Sequence, residues 1–237
     1  MLTEAIVLAG GLGTRLRSVV SDLPKAMAPV AGQPFLTYLL QFLQAHGLRR
    51  VVLAIGYKSD QIRGYFGAHF GSLELVYSVE EEPLGTGGAI RRAMSLVGED
   101  VTLVLNGDTF LRLDYADLLA AAAPYPDPPL VVALRRVPDA GRYGAAIVSG
   151  GRIQGFAARG TAGPGLINAG CYLVPRNIFQ RYPMPAKFSW EHDLLEAHAA
   201  QLQPVALECD VPFIDIGVPE AFQQAQTLIP EWVNATA

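Results

Sequence analysis

The chain has 237 residues, enough for one large domain or two small ones, and its 51% apolar and 17% charged content excludes a largely disordered protein. A net charge of −4 excludes a protein that coats nucleic acid, because binding along a phosphate backbone needs a basic surface. Cys171 and Cys209 are too few and too far apart for a disulfide framework or a zinc knuckle, so they read as ordinary thiols in a reducing compartment.

Residues 5–9 (AIVLA) read as a short buried strand that runs into the glycine cluster at 10–13. Glu4 precedes the apolar run without a basic leader, and no stretch has the length of a membrane span; a soluble, cytoplasmic protein with no membrane partner is expected. Residues 35–45 (FLTYLLQFLQA) predict a helix, with Gly47 placed to end it. Residues 51–55 read as strand, 59–66 as helix, 73–79 as strand, 87–96 as helix and 101–105 as strand. Short apolar runs alternating with helices predict an α/β protein whose mostly parallel sheet is covered on both faces. Further on, 130–135, 145–148 and 168–174 read as strands, some of them antiparallel, followed by a helix at 189–202 and a strand at 205–208. Nothing forces a boundary, so one domain over 1–230 is expected, with halves of about 1–110 and 111–230 and a loose tail at 231–237.

The first strand is followed by LAGGLGTRL at 8–16. Gly10, Gly11 and Gly13 let the backbone turn sharply and bring its N–H groups against a ligand, with Leu8, Ala9 and Thr14 completing the loop. A helix N-terminus behind the loop would add partial positive charge, which suits phosphate. The dinucleotide fingerprint would need glycine where Leu16 stands, and the ATPase loop would need Gly-Lys-Ser/Thr. Arg15, Arg17 and Lys25 instead place three cations within eleven residues of an acidic chain. A solvated surface turn is the plain alternative; the preceding strand and the density of cations favour phosphate.

GGLGTRL followed by LPKAMAPV resembles the signature of the sugar-phosphate nucleotidyltransferases. Within that family the chain is most similar to the heptose 1-phosphate guanylyltransferases, through RLRSVVSDLPKAMAPVAGQPFL, EEEPLGTGGAI, LVLNGDT, LINAGCYL, FSWEHDLLE and FIDIGVPE, from about residue 3 to 225. The resemblance implies a three-layer α/β/α Rossmann-like fold with a mixed, mostly parallel central sheet, its first half binding nucleotide and its second half sugar. It also implies that Arg15 binds the β and γ phosphates and the departing pyrophosphate, while Lys25 holds the α-phosphate under attack.

Strand 101–105 leads into Asn106-Gly107-Asp108, and ligands of an open α/β sheet gather at the carboxyl ends of its strands, so Asp108 should face the phosphate loop. Asp215 stands alone among apolar neighbours in FIDIG. Either acid by itself is as readily a structural hydrogen-bonding group. Together, beside a triphosphate loop, they suggest magnesium, which takes oxygen ligands from one or two carboxylates plus substrate phosphates. The resemblance assigns the metal to Asp108 and Asp215.

Glu80, Glu81 and Glu82 could be a solvated charge run. Yet guanine presents two adjacent donors, and one carboxylate can accept both. Uracil and thymine offer one ring donor beside carbonyl oxygens that repel a carboxylate. Glu80 falls where resembling thymidylyl enzymes carry glutamine, which favours GTP, with backbone around Gly85 and Gly88 completing the base pocket. By the same resemblance Gly144 and Asn168 approach the sugar ring. The family's Glu-Lys pair is replaced here by Ala158-Arg159: Arg159 could clamp the sugar phosphate, whereas the glutamate's contact to sugar hydroxyls has no counterpart. Residues 188–193 (FSWEHD) match the heptose subgroup without an assignable role, and His192 reads as a helix-surface residue.

Glycines, cations and acids without a histidine or serine nucleophile suit in-line attack of a sugar 1-phosphate on the α-phosphorus of GTP, because that nucleophile is already anionic. The expected product is GDP-heptose, with magnesium as cofactor. Mannose 1-phosphate as acceptor, a uridylyl or thymidylyl transfer to another sugar phosphate, and a nucleotide-sugar-binding module without catalysis stay open as alternatives.

Overall fold

Ala5, Ile6 and Val7 of β1 (Glu4–Leu8) are wholly buried, the mark of a strand covered on both faces. In the computed structural model, which describes residues 2–11 and 23–234, β1 lies inside a ten-stranded sheet. After β1 come a hairpin of β2 (Pro29–Val30) and β3 (Gln33–Pro34) and helix α1 (Phe35–Ala45). The chain then returns to the sheet as β4 (Arg50–Ile55), parallel to β1. Helix α2 (Ser59–Phe66) and a short edge strand β5 (His69–Phe70) lead to β6 (Leu73–Val79), parallel to β4. Helix α3 (Gly85–Met94) then carries the chain back across, and β7 (Val101–Asn106) pairs with the opposite side of β1. Strand order thus reverses about β1, which opens a crevice at the carboxyl ends of β1 and β7.

Beyond β7 the sheet is extended by the second half of the chain. Strand β8 (Thr109–Leu111) leaves the main sheet, and helix α4 (Tyr115–Ala122) precedes β9 (Val131–Val137), β10 (Ala146–Ser149), β11 (Arg152–Phe156) and the long β12 (Gly165–Pro175). After α5 (Ile178–Arg181), a π-helix (Trp190–Glu196) and α6 (Ala199–Leu202) come β13 (Val205–Cys209), β14 (Phe213–Asp215) and α7 (Pro219–Asn234). The sheet order is β10-β11-β13-β9-β12-β7-β1-β4-β6-β5, and β5, β11 and β12 run against the other strands. The mixed, mostly parallel sheet is therefore as the sequence predicts.

Alternation along the strands separates two cores. Val7 and Leu53 face α1, α4 and α7, whereas Ile6, Val52 and Val104 face α3 and the π-helix, which completes three layers. No helix among the described residues is long and apolar enough to cross a membrane.

Two elements depart from expectation. The single helix expected at 189–202 is a π-helix followed by the separate α6. The buried residues of the π-helix, Trp190, Leu194 and Leu195, stand four and five residues apart, and the wider turn of a π-helix brings both positions to the face that carries Trp190. The tail expected to be loose after Pro230 is helical to Asn234, with the Trp232 ring 6.2 Å from Phe110; residues 235–237 lie outside the described residues.

Candidate active site

The crevice beside β1 is a cleft of about 370 Å³. Leu8, Ala9, Gly10 and Gly11 form one wall; Gly13, Thr14 and Arg15, and also Arg17, lie outside the described residues. Glu80, just past β6, lines the same cleft, and its Oε2 accepts the Leu84 backbone N–H at 2.8 Å. Burial pushes its carboxyl above the ordinary glutamate range, while the Leu84 N–H and the Arg92 charge oppose the shift. Gly85 also faces the cleft. Gly88 does not line it: a Cβ there would stand 2.7 Å from the Ala186 carbonyl oxygen, so this glycine serves the packing of α3 against residues 186–188.

A second cleft of about 200 Å³ adjoins the first, and Asn106, Asp108 and Glu191 line both. Gly144, Arg159 and Asn168 face this second space, as do Arg142 and Asp215. Asn168 sits at the register shift between β12 and β9; its Oδ1 accepts the Gly170 N–H at 3.0 Å and its Nδ2 donates to the Tyr172 hydroxyl at 2.9 Å. Arg159, at the rim, pairs with Glu196 at 3.4 Å.

Lys25 stands between the clefts. A 3-10 turn at Lys25–Met27 places its Nζ 2.5 Å from Asp108 Oδ2 and 3.4 Å from Asp215 Oδ1. The two acids are distant in sequence, and the antiparallel pairing of β14 with β8 brings them together: Asp215 lies opposite Thr109, and Ile216 N–H donates to the Asp108 carbonyl at 3.1 Å. Arg142 Nη2 completes the group, 2.6 Å from Asp215 Oδ2. The side chains of Lys25 and Asp215 are only 11% and 15% exposed, so removing one partner would leave an uncompensated charge in a poorly solvated place.

This arrangement fits a divalent cation. The two carboxylates already converge on one positive charge, the ammonium, and their hard oxygens suit magnesium. Among the described residues no cluster of three or more His, Cys, Asp or Glu could hold a metal, so the protein's share of its shell would be this pair, the rest coming from phosphate oxygens and water.

A model of the family Nucleotidyl transferase matches residues 4–231. The chain belongs to that family. It is 39% identical over 230 residues to the D-glycero-alpha-D-manno-heptose 1-phosphate guanylyltransferase of Aneurinibacillus thermoaerophilus, which covers 97% of this chain and 100% of that protein. The crystal structure of HddC from Yersinia pseudotuberculosis is similar at 35% identity and a TM-score of 0.84, over 95% of this chain and 98% of that one. The complex of HddC with GMP-PN gives a TM-score of 0.83 at 34% identity, over the same shares of the two chains.

Three side chains of the candidate site escaped the sequence reading. Glu191 lies in the segment 188–193 that had no assigned role; its Oε2 accepts the Thr86 hydroxyl at 2.7 Å, and Thr86 Oγ1 accepts the Trp190 N–H at 2.8 Å. The π-helix is thereby tied to the N-terminal turn of α3. Asn106 has a buried Oδ1 with no hydrogen-bond partner among the described residues, an unusual state for a buried polar atom, and its residue lines both clefts. Arg142 stands two residues before Gly144, and nothing in the local sequence singles it out. His192 is exposed and pairs with Asp193 at 2.7 Å, consistent with a helix-surface residue.

Proposed function

We propose that this nucleotidyl transferase joins GTP to D-glycero-α-D-manno-heptose 1-phosphate, giving GDP-heptose and pyrophosphate. The observation that carries this reading is the convergence of Asp108 and Asp215 on Lys25 at the wall between two adjoining clefts. One cleft has the size and backbone-rich wall for a nucleotide, and the other the mixed polar groups for a phosphorylated sugar. Similarity to guanylyltransferases of heptose 1-phosphate supports the choice of both substrates.

In the reaction a phosphate oxygen of the sugar 1-phosphate attacks the α-phosphorus of GTP. A new P–O bond forms there as the bond to the β-phosphate breaks, and pyrophosphate departs. Lys25 would leave Asp108 for the α-phosphate oxygens, and Gly10 and Gly11, which line the cleft, would offer backbone N–H groups to the phosphates. Glu80 would accept the two guanine donors, and Asn168 and Gly144 would border the sugar ring. Asp108 and Asp215 would hold magnesium, which when bound neutralises charge on the phosphate oxygens. Alignment and charge neutralisation suffice, since the nucleophile arrives ionised.

The test is pyrophosphate release from a matrix of GTP, UTP, dTTP, ATP and CTP against heptose, mannose and glucose 1-phosphates, with magnesium. Turnover should be greatest with GTP and the heptose phosphate. Turnover with UTP or dTTP and none with GTP would overturn the base assignment. Lys25→Ala and Asp108→Asn should each lower kcat by about a hundredfold or more while leaving thermal unfolding cooperative, the size of effect seen when a transition-state charge partner is removed. Near-normal turnover in either variant would refute the role of that residue in charge neutralisation.

A further inference from the structure

We propose that Arg142 binds the phosphate of the sugar 1-phosphate, and that it is free to do so when a divalent cation takes over its present partner, Asp215. The inference rests on the reaction proposed above and adds a residue and an exchange of partners to it. Asp215 is fully engaged as it stands: Oδ2 takes Arg142 Nη2 at 2.6 Å, while Oδ1 takes Lys25 Nζ at 3.4 Å and the Gly217 N–H at 2.7 Å. Two protein cations thus occupy the carboxylate that would serve a metal. With Asp108 and Asp215 holding a divalent cation, their charge would be answered by it, and the Arg142 guanidinium and the Lys25 ammonium would be released for phosphate.

Gly217 gives independent support. A Cβ on this residue would stand 2.7 Å from Asp215 Oδ1, 2.8 Å from Lys25 Nζ and 3.3 Å from Arg142 Nη2, so both cations are packed around bare backbone. The charges of the second cleft point the same way. Asp108, Glu191, Glu196 and Asp215 face it, a hostile setting for a phosphate dianion unless cations answer them. Arg159 is 66% exposed at the rim, where water screens its charge; Lys25 sits between the clefts. Arg142 is the half-buried member, 32% exposed; the planar fork of its guanidinium lies 4.9 Å over the Tyr143 ring, and its side chain lines the cleft. Such a fork matches two phosphate oxygens at once.

Losing the guanidinium should therefore have two opposite effects: weaker binding of sugar phosphate and tighter binding of a divalent cation to the free protein. The experiment uses the full chain, Arg142→Gln and Arg142→Lys. Mn²⁺ binding without substrates is followed by electron paramagnetic resonance, and KM is measured for heptose 1-phosphate and for GTP. Arg142→Gln should raise the sugar-phosphate KM by about tenfold or more, the usual effect of losing hydrogen bonds to a charged group, with the GTP KM nearly unchanged. It should also bind Mn²⁺ severalfold more tightly, and Arg142→Lys should restore part of the sugar-phosphate affinity. An unchanged sugar-phosphate KM, or Mn²⁺ binding that is unchanged or weaker, would overturn the inference while leaving the reaction standing. Wild-type protein that turns over no sugar 1-phosphate would overturn the reaction, and this inference with it.

Discussion

Glu80 holds two duties on one carboxylate. Its Oε2 fixes the 80–84 turn through the Leu84 N–H, and in the proposed complex the same group accepts from guanine. Glu80→Gln should raise the GTP KM by about 10- to 100-fold, the worth of hydrogen bonds to a charged acceptor, and should raise the relative rate with UTP. A GTP KM unchanged in this variant would contradict guanine readout. The pH dependence has a definite sign. Guanine needs the ionised acceptor, and burial raises this carboxyl above its ordinary value, so protonation sets in at a pH where a solvated glutamate is still charged. GTP affinity, measured by calorimetry on descending pH, should therefore begin to fall at a higher pH than an ordinary glutamate would give, and Glu80→Gln should lack this phase. At this scale the sequence is informative where chemistry is concentrated in one motif, as at Lys25 and Asp108. Arg142 and Glu191 acquire meaning only from what folds against them, and their neighbours in sequence say nothing of it.

The π-helix is the element whose register the sequence concealed. Apolar residues at 190, 194 and 195 mark a helical segment, but three positions are too few to tell the spacing of a π-turn from that of an ordinary helix. Its start is better marked: Ser189 Oγ accepts the His192 N–H at 3.1 Å, and Asp193 in turn accepts the Ser189 N–H at 2.7 Å. Ser189→Ala should cost about 1 kcal/mol of stability by denaturant unfolding, the usual worth of an N-cap; a loss near zero would mean that packing alone holds the element. Trp190, wholly buried with its ring 5.7 Å from Tyr172, anchors the element, and Trp190→Ala should cost about 3–5 kcal/mol. Because this helix also carries Glu191 into both clefts, the milder Ser189→Ala is the variant in which any change in sugar-phosphate KM can be read apart from unfolding. Helix α4 went unread although it has a conventional start, Asp114 accepting the Ala116 N–H at 2.9 Å.

For the whole molecule, the first half was legible because strand and helix alternate and each apolar run is short and bounded by glycine or polar residues. That regularity gives the parallel strands β1, β4, β6 and β7 and the crevice at their ends. The second half was legible only in pieces, since antiparallel β12 is inserted between β7 and β9, and a pairing between distant strands leaves no local trace. The same holds for β8 with β14, three residues each, too short to announce themselves. Yet the proposed reaction depends on that small ladder: it sets Asp215 beside Asp108, joining a residue of the last strand to the crevice at the end of β1.

A crystal structure with a non-hydrolysable GTP analogue and magnesium tests this convergence most directly. The expected result is one cation bound by Asp108, Asp215 and an α-phosphate oxygen, with the Lys25 ammonium moved onto the phosphate. Bound nucleotide with both carboxylates still paired to Lys25, or with either turned away from the phosphates, would contradict it.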